Sequence, residues 1–167
     1  MEFENYKIIK PNSMQVKAID NLNRLRISGE NRELVIAATG TGKTYMSAFD
    51  VLNFKHKKML FIVHREDILK SAEKTFKRLS KNKSKTTGFL TGNQKDITAD
   101  YLFFTIQSLN NNLHEFAQEE FEYIIIDEAH HSTSPSYKRV IEYFKPKFLL
   151  GMTATLETLD SITLNAV

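Results

Sequence analysis

Five short apolar runs alternating with stretches of helical spacing constrain this chain more than any other feature. Leu34 to Ala38, Met59 to Val63, Tyr101 to Ile106, Tyr123 to Ile126 and Phe148 to Met152 are rich in Ile, Val, Leu and Phe. Continuous apolar runs of this length suit strands buried on both faces. Between them, Met14, Ala18, Leu22 and Leu25, then Ile68, Ala72, Phe76 and Leu79, then Tyr137, Val140, Ile141 and Phe144 recur at i, i+3, i+4 and i+7. That period predicts helices with one face on a sheet. Ser134 and Pro135 supply the last helix with an N-cap and a first-turn proline. Alternating strands and helices build parallel βαβ units, so the expected fold is α/β, a mostly parallel sheet covered by helices on both faces. Ligands of such sheets gather in the loops at the carboxyl ends of the strands.

A chain of 167 residues buries enough surface to hold a core without a disulfide or metal. Cysteine is absent, which removes a disulfide framework, a Cys-based zinc site and a thiol nucleophile, and fits a reducing compartment such as the cytoplasm. No apolar run approaches the roughly 20 residues of a membrane span, and Met1 to Lys10 carries two acids where a secretory signal would be apolar. A soluble, cytoplasmic protein with no membrane partner is expected. The 23 Lys and Arg against 20 Asp and Glu give a formal net charge of +3, too small to establish a nucleic-acid partner.

The first apolar run passes directly into Thr39-Gly40-Thr41-Gly42-Lys43-Thr44 and then into a helical stretch. Gly40 and Gly42 let backbone N–H groups turn toward an anion, and the next helix offers its positive end to the same anion. Lys43 adds a point charge for β and γ phosphates, and Thr44 a hydroxyl for Mg²⁺. The segment resembles the Walker A loop, with Ala37 where the first glycine usually stands. Tyr123 to Ile126 runs into Asp127-Glu128-Ala129-His130. Asp127, at the end of a buried strand, is placed to hold Mg²⁺, and Glu128 beside it to orient or deprotonate an attacking water.

Ala37 to Thr44, Asp127-Glu128-Ala129-His130 and Thr153-Ala154-Thr155 together resemble motifs I, II and III of superfamily 2 helicases and translocases of the DEAD/DEAH type. The text from Asp127 to His131 and from Phe148 to Thr155 looks most like the branch of the type III restriction enzyme Res subunit. The resemblance implies a RecA-like P-loop NTPase fold over residues 1–155, with 156–167 a tail or the start of a linker. It also implies ATP hydrolysis with Mg²⁺ and movement on nucleic acid. The branch favours DNA, and RNA stays open. An arginine finger and the other half of the cleft are expected on a second RecA-like domain, since no Arg follows Arg139.

Further residues match family motifs. Gln15 stands where relatives read adenine, yet Asn12 to Gln15 also has capping-box spacing, and both roles stay open. Thr153 and Thr155, with His130, resemble the motif that couples the nucleotide site to the nucleic-acid site, against which ordinary turn hydroxyls are the alternative. Leu156 and Thr158 depart from the branch pattern, which has Pro and Arg there.

His64 and Arg65 resemble a motif that touches the phosphate backbone, with Ser71 departing from its glutamine. Thr105, Gln107 and Ser108 resemble a second such motif, suited to phosphates and sugars. His131 either supports the acidic site or is a surface histidine. A metal role for His130 and His131 is not expected, since adjacent residues project differently and no further His or Cys set exists. Lys70, Lys74, Lys77, Arg78, Lys81, Lys83 and Lys85 form either a phosphate-binding patch or a solvated helix face.

The leading expectation is therefore the ATP-binding motor domain of an ATP-dependent DNA helicase or translocase. The alternative is an isolated nucleotide-binding module that binds but hydrolyses little. A P-loop kinase is disfavoured, because nothing supplies an acceptor site.

Overall fold

A computed structural model describes residues 8–80, 85–155 and 165–166. The elements run α1 (Ser13–Ile27), β1 (Arg32–Ile36), α2 (Lys43–Asn53), β2 (Met59–Val63), α3 (Glu66–Leu79), β3 (Thr87–Leu90), β4 (Tyr101–Thr105), α4 (Ile106–Asn111), β5 (Tyr123–Asp127), α5 (Pro135–Tyr143), β6 (Phe148–Thr153) and β7 (Asn165–Ala166). The sheet order is β3-β4-β2-β5-β6-β1-β7, and every paired strand is parallel.

Strand alternation divides the core in two. Phe61 and Val63 on β2, Tyr123 and Ile125 on β5, and Leu150 and Met152 on β6 face a cluster completed by Leu22, Val51, Leu69 and Phe76 of α1 to α3. Leu60, Ile62, Ile124, Ile126 and Leu149 face the opposite cluster, completed by Leu109 of α4 and Tyr137 and Val140 of α5. The sheet is thus covered by helices on both faces, as the apolar runs predict, and it needs strands without polar alternation for that reason.

Several boundaries differ from expectation. The first strand covers Arg32–Ile36, leaving Ala37 and Ala38 to the loop. The run from Tyr101 ends as a strand at Thr105, because the Thr105 side chain accepts from Ser108 N and turns Ile106 into the start of α4. Ser134 is the N-cap of α5 with Pro135 behind it, but its side chain makes no cap bond. β3 was not expected. Leu156 and Thr158, with Lys81 and Lys83, lie outside the described residues. Asn165–Ala166 pairs with Glu33 and Leu34 of β1. Among the described residues no helix is long and apolar enough to cross a membrane.

One buried charge network fastens α1 and α2 to β5. Asp50 on α2 is wholly buried and accepts both Arg26 nitrogens at 2.7 Å as well as the Tyr123 hydroxyl. The Arg26 guanidinium also lies 4.6 Å from the Phe148 ring centroid. A carboxylate so enclosed needs such partners, since an unpaired buried charge is strongly unfavourable.

Candidate functional site

β6 lies between β1 and β5, so the loops that leave β1 and β5 flank the end of β6 at one edge of the sheet. Ile36 is in register with Thr153, Asp127 with Met152, and Ala37 N donates to Thr153 O at 3.0 Å. Lys43, Asp127 and Thr153, distant in sequence, therefore share one sheet edge.

The loop after β1 is shaped by its two glycines. Gly40 and Gly42 adopt φ of 78° and 80°, left-handed backbone that glycine takes without strain. A Cβ at Gly40 would meet nothing within 4 Å, whereas one at Gly42 would fall 2.6 Å from Gln15 Nε2. Gly42 caps α2 without a side-chain bond, so the N–H groups of the first turn lack a side-chain acceptor. Lys43 Nζ bends over the loop and donates to Ala37 O at 2.8 Å and Ala38 O at 3.2 Å. Thr41 donates through its hydroxyl to Ala38 O at 2.7 Å, while Thr39 and Gly40 are exposed at the tip. Such a loop fits an anion with several oxygens, and Lys43 can exchange its carbonyl partners for phosphate.

Gln15 does two things at once. Its Oε1 accepts from Asn12 N while Asn12 Oδ1 accepts from Gln15 N, both at 2.9 Å, the reciprocal pair of a capping box. Its Nε2 donates to Gly42 O at 3.1 Å, tying α1 to the loop. One lone pair and one N–H of the amide stay uncommitted by these bonds, the complement that adenine reading needs. A cavity of about 260 Å³ opens beside it, lined by Met14, Gln15, Ala18, Asn21, Thr41 and Lys43 among others.

Asp127 is half-buried at the end of β5 and accepts from Glu128 N at 2.9 Å. Burial pushes its carboxyl above the usual carboxylate range; that amide and the charge of Lys43 oppose the rise, and the charge of Glu128 adds to it. The Thr44 hydroxyl and the Asp127 carboxylate are hard oxygen donors of the kind Mg²⁺ takes, and the donor set fits that ion.

Glu128 has φ 57° and ψ 48°, and it is the only non-glycine residue with positive φ among those described. Left-handed backbone at a residue with a long side chain is held against its preference by its surroundings, a pattern found at functional positions. The turn leads into a 3₁₀ segment, Ala129–Thr133. His130 Nε2 stands 3.4 Å from Glu128 Oε2, and His130 Nδ1 3.3 Å from Thr153 Oγ1. Thr153 Oγ1 in turn donates to Thr155 O at 3.0 Å. Glu128, His130, Thr153 and Thr155 are thereby joined in one chain of contacts.

The tight 3₁₀ turn also overturns the expectation that adjacent histidines diverge. The His130 and His131 rings approach to 4.1 Å, and His131 stacks on His64 at 5.0 Å. His64 Nδ1 lies 3.4 Å from Gln107 Nε2, so the ends of β2 and β4 meet. Desolvation first, then the charges of His130 and His64, hold His131 below the usual imidazole range. Thr105 is buried and spends its hydroxyl on capping α4, with Ser108 N as donor at 3.3 Å. Arg65 is exposed and pairs with Asp67 at 2.7 Å. Lys70, Lys74, Lys77 and Arg78 lie exposed on α3, with Lys77 paired to Glu73. The His64–His131 stack and the Arg26–Asp50–Tyr123 network were not foreseen, since nothing in sequence spacing links their members.

A parallel sheet whose glycine loop and acidic turn stand on either side of a central threonine is a RecA-like domain of the kind found in superfamily 2 helicases. The family described as Type III restriction enzyme, res subunit, matches residues 8–158, and the chain belongs to that family. It is 32% identical over 171 residues to IRC3 of Saccharomyces cerevisiae, named among ATP-dependent helicases, covering 92% of this chain and 24% of that protein. It is 29% identical to the type I restriction enzyme EcoAI endonuclease subunit of Escherichia coli, covering 87% of this chain and 19% of that one. The chain thus spans about a quarter or less of these relatives. Its fold matches the Pyrococcus furiosus Hef helicase domain with TM-score 0.73 and 21% identity, over 90% of this chain and 34% of that one. It also matches the Sulfolobus solfataricus SWI2/SNF2 ATPase core in complex with dsDNA, with TM-score 0.70 and 19% identity, over 93% and 34%.

Proposed function

We propose that this chain is the ATP-binding motor domain of an ATP-dependent DNA helicase or translocase of the restriction or repair type. In this reading it hydrolyses ATP when joined to a second RecA-like domain. The observation that carries it is the single sheet edge shared by the Lys43 loop, the Asp127-Glu128 pair and Thr153. In this reading residues 1–155 form the motor unit and 156–167 a tail or the start of a linker, although Asn165–Ala166 of that segment adds a strand beside β1.

Thr39 to Thr44 wrap the phosphates with backbone N–H groups, and Lys43 leaves Ala37 O and Ala38 O to meet the β and γ oxygens. Gln15 keeps its hold on Asn12 and Gly42 while its remaining N–H and lone pair read adenine. Thr44 and Asp127 are the residues that would hold Mg²⁺, which supplies charge neutralisation at the transferring phosphoryl group. Glu128, outside that donor set, takes a proton from the attacking water at its carboxylate. His130, Thr153 and Thr155 carry the state of Glu128 toward the strand ends. His64, Arg65, Gln107 and Ser108 are the proposed nucleic-acid contacts, with Thr105 shaping their turn. The Escherichia coli relative is a restriction endonuclease subunit and the Sulfolobus core was solved with dsDNA, which supports DNA. The absence of cysteine suits a reducing compartment such as the cytoplasm.

A second reading is a nucleotide-binding module with little turnover of its own, since binding requires only the Lys43 loop that this sheet edge already holds. In P-loop enzymes an arginine finger is worth about 10³ to 10⁵ in rate. Steady-state ATPase with and without DNA, of the chain alone and of the chain joined to a second RecA-like domain, separates the two. Binding without turnover supports the module, and robust DNA-stimulated turnover sinks it.

A further inference from the structure

We propose that Glu128, His130 and His131 form a binding site for a divalent transition-metal cation of the zinc type, distinct from the Mg²⁺ donors Thr44 and Asp127. The carboxylate oxygen and the two imidazole nitrogens all lie within 4.8 Å of one another. Donors on a tetrahedral zinc ion, each about 2.1 Å from the metal, stand about 3.4 Å apart. The Glu128 Oε2 to His130 Nε2 separation is 3.4 Å, already that spacing. It is long for a charge-assisted hydrogen bond, which prefers about 2.7–2.9 Å.

The backbone explains why three residues so close in sequence converge. Left-handed Glu128 reverses the chain, and the 3₁₀ turn that follows brings the neighbouring rings to 4.1 Å. The His131 donor stands within 4.8 Å of the other two, and its stack on His64 holds the ring beside them. The other nitrogen of His130 faces Thr153 Oγ1, the outer hydrogen bond that metal-binding imidazoles commonly have.

Ligand softness sorts the ions. Mg²⁺ takes oxygen donors and leaves imidazole, whereas zinc, nickel and cobalt take imidazole with carboxylate. Three protein donors leave a fourth position for water. A cation held there occupies the Glu128 carboxylate and the His130 ring together. It therefore inhibits hydrolysis by removing the water-activating group, a consequence that rests on the function proposed above, while the binding itself does not.

The test is a Zn²⁺ titration of the tag-free 167-residue chain against a chromophoric zinc chelator, with nucleotide binding measured in parallel without zinc. One Zn²⁺ per chain is expected. Affinity should fall by roughly tenfold or more in His131→Ala and in Glu128→Gln, and stay unchanged in His114→Ala, on a different turn. Circular dichroism confirms that the variants are folded, and Co²⁺ absorption in the visible range reports imidazole ligation directly. No stoichiometric zinc, or zinc affinity indifferent to His131→Ala, overturns the inference. Loss of nucleotide binding by the unsubstituted chain would instead sink the proposed function and leave the metal result standing.

Discussion

The His130 ring bridges Glu128 and Thr153, with Nε2 3.4 Å from the carboxylate and Nδ1 3.3 Å from the hydroxyl. A change at Glu128 thus reaches the end of β6 through a single side chain. Thr153→Val keeps the shape of this buried residue and deletes the hydroxyl that His130 and Thr155 share. Nucleotide affinity should stay close to that of the unsubstituted chain, while DNA-stimulated turnover of the assembled motor falls by about tenfold, or 1.4 kcal/mol. Equal losses in both measurements would assign Thr153 to nucleotide binding instead.

Gln15 should reveal its two roles in two different experiments. Gln15→Ala removes the Gln15 side-chain half of the capping box and the bond to Gly42 O, which costs about 1 kcal/mol of stability in urea unfolding. If the amide also reads adenine, the preference for ATP over GTP collapses in the same variant. An unchanged ratio of ATP to GTP affinity would leave Gln15 as a cap alone.

Asp127 sets stability against its proposed role. Its carboxyl is raised mainly by burial, so the folded state holds a proton more tightly than the unfolded state does. Stability is then lost as pH rises from the ordinary carboxylate range through the raised value. Asp127→Asn keeps an acceptor for Glu128 N and removes that penalty, so the variant should be more stable at neutral pH by roughly 0.5–2 kcal/mol, with a flatter pH dependence in that window. Its nucleotide binding should lose sensitivity to Mg²⁺. Lower stability than the unsubstituted chain in thermal melts at pH 7 would refute this account of Asp127.

The Arg26–Asp50 pair carries no proposed function and offers a purely structural test. Arg26→Met leaves the buried Asp50 carboxylate with the Tyr123 hydroxyl as its remaining named partner, and should cost about 3–5 kcal/mol in urea unfolding. Adding Asp50→Leu should recover part of that loss. A cost below about 1 kcal/mol, the surface-pair range, would mean the carboxylate finds other compensation.

What was legible in the sequence depended on burial. β2, β5 and β6 could be read from Met59–Val63, Tyr123–Ile126 and Phe148–Met152 because both faces of each strand are covered, so no polar alternation blurs the run. β3 was hidden because an edge strand needs little apolar content: Gly88 faces Asp96, and only Phe89 and Leu90 are apolar. The end of β4 was misjudged because Ile106 is as apolar as the strand before it, and only the Thr105 hydroxyl marks the turn. The loop lysine and the acidic pair were visible because each adjoins a buried strand. The partner of His131 was not, since His64 reaches it from the end of β2, a relation fixed by strand order alone.

Equilibrium nucleotide binding with Mg²⁺ tests the central claim most directly, comparing the unsubstituted chain with Lys43→Ala and Glu128→Gln. The account predicts that the unsubstituted chain binds ATP, that Lys43→Ala abolishes binding by removing the ammonium that caps the loop, and that Glu128→Gln retains it. Binding by Lys43→Ala equal to that of the unsubstituted chain would contradict the account.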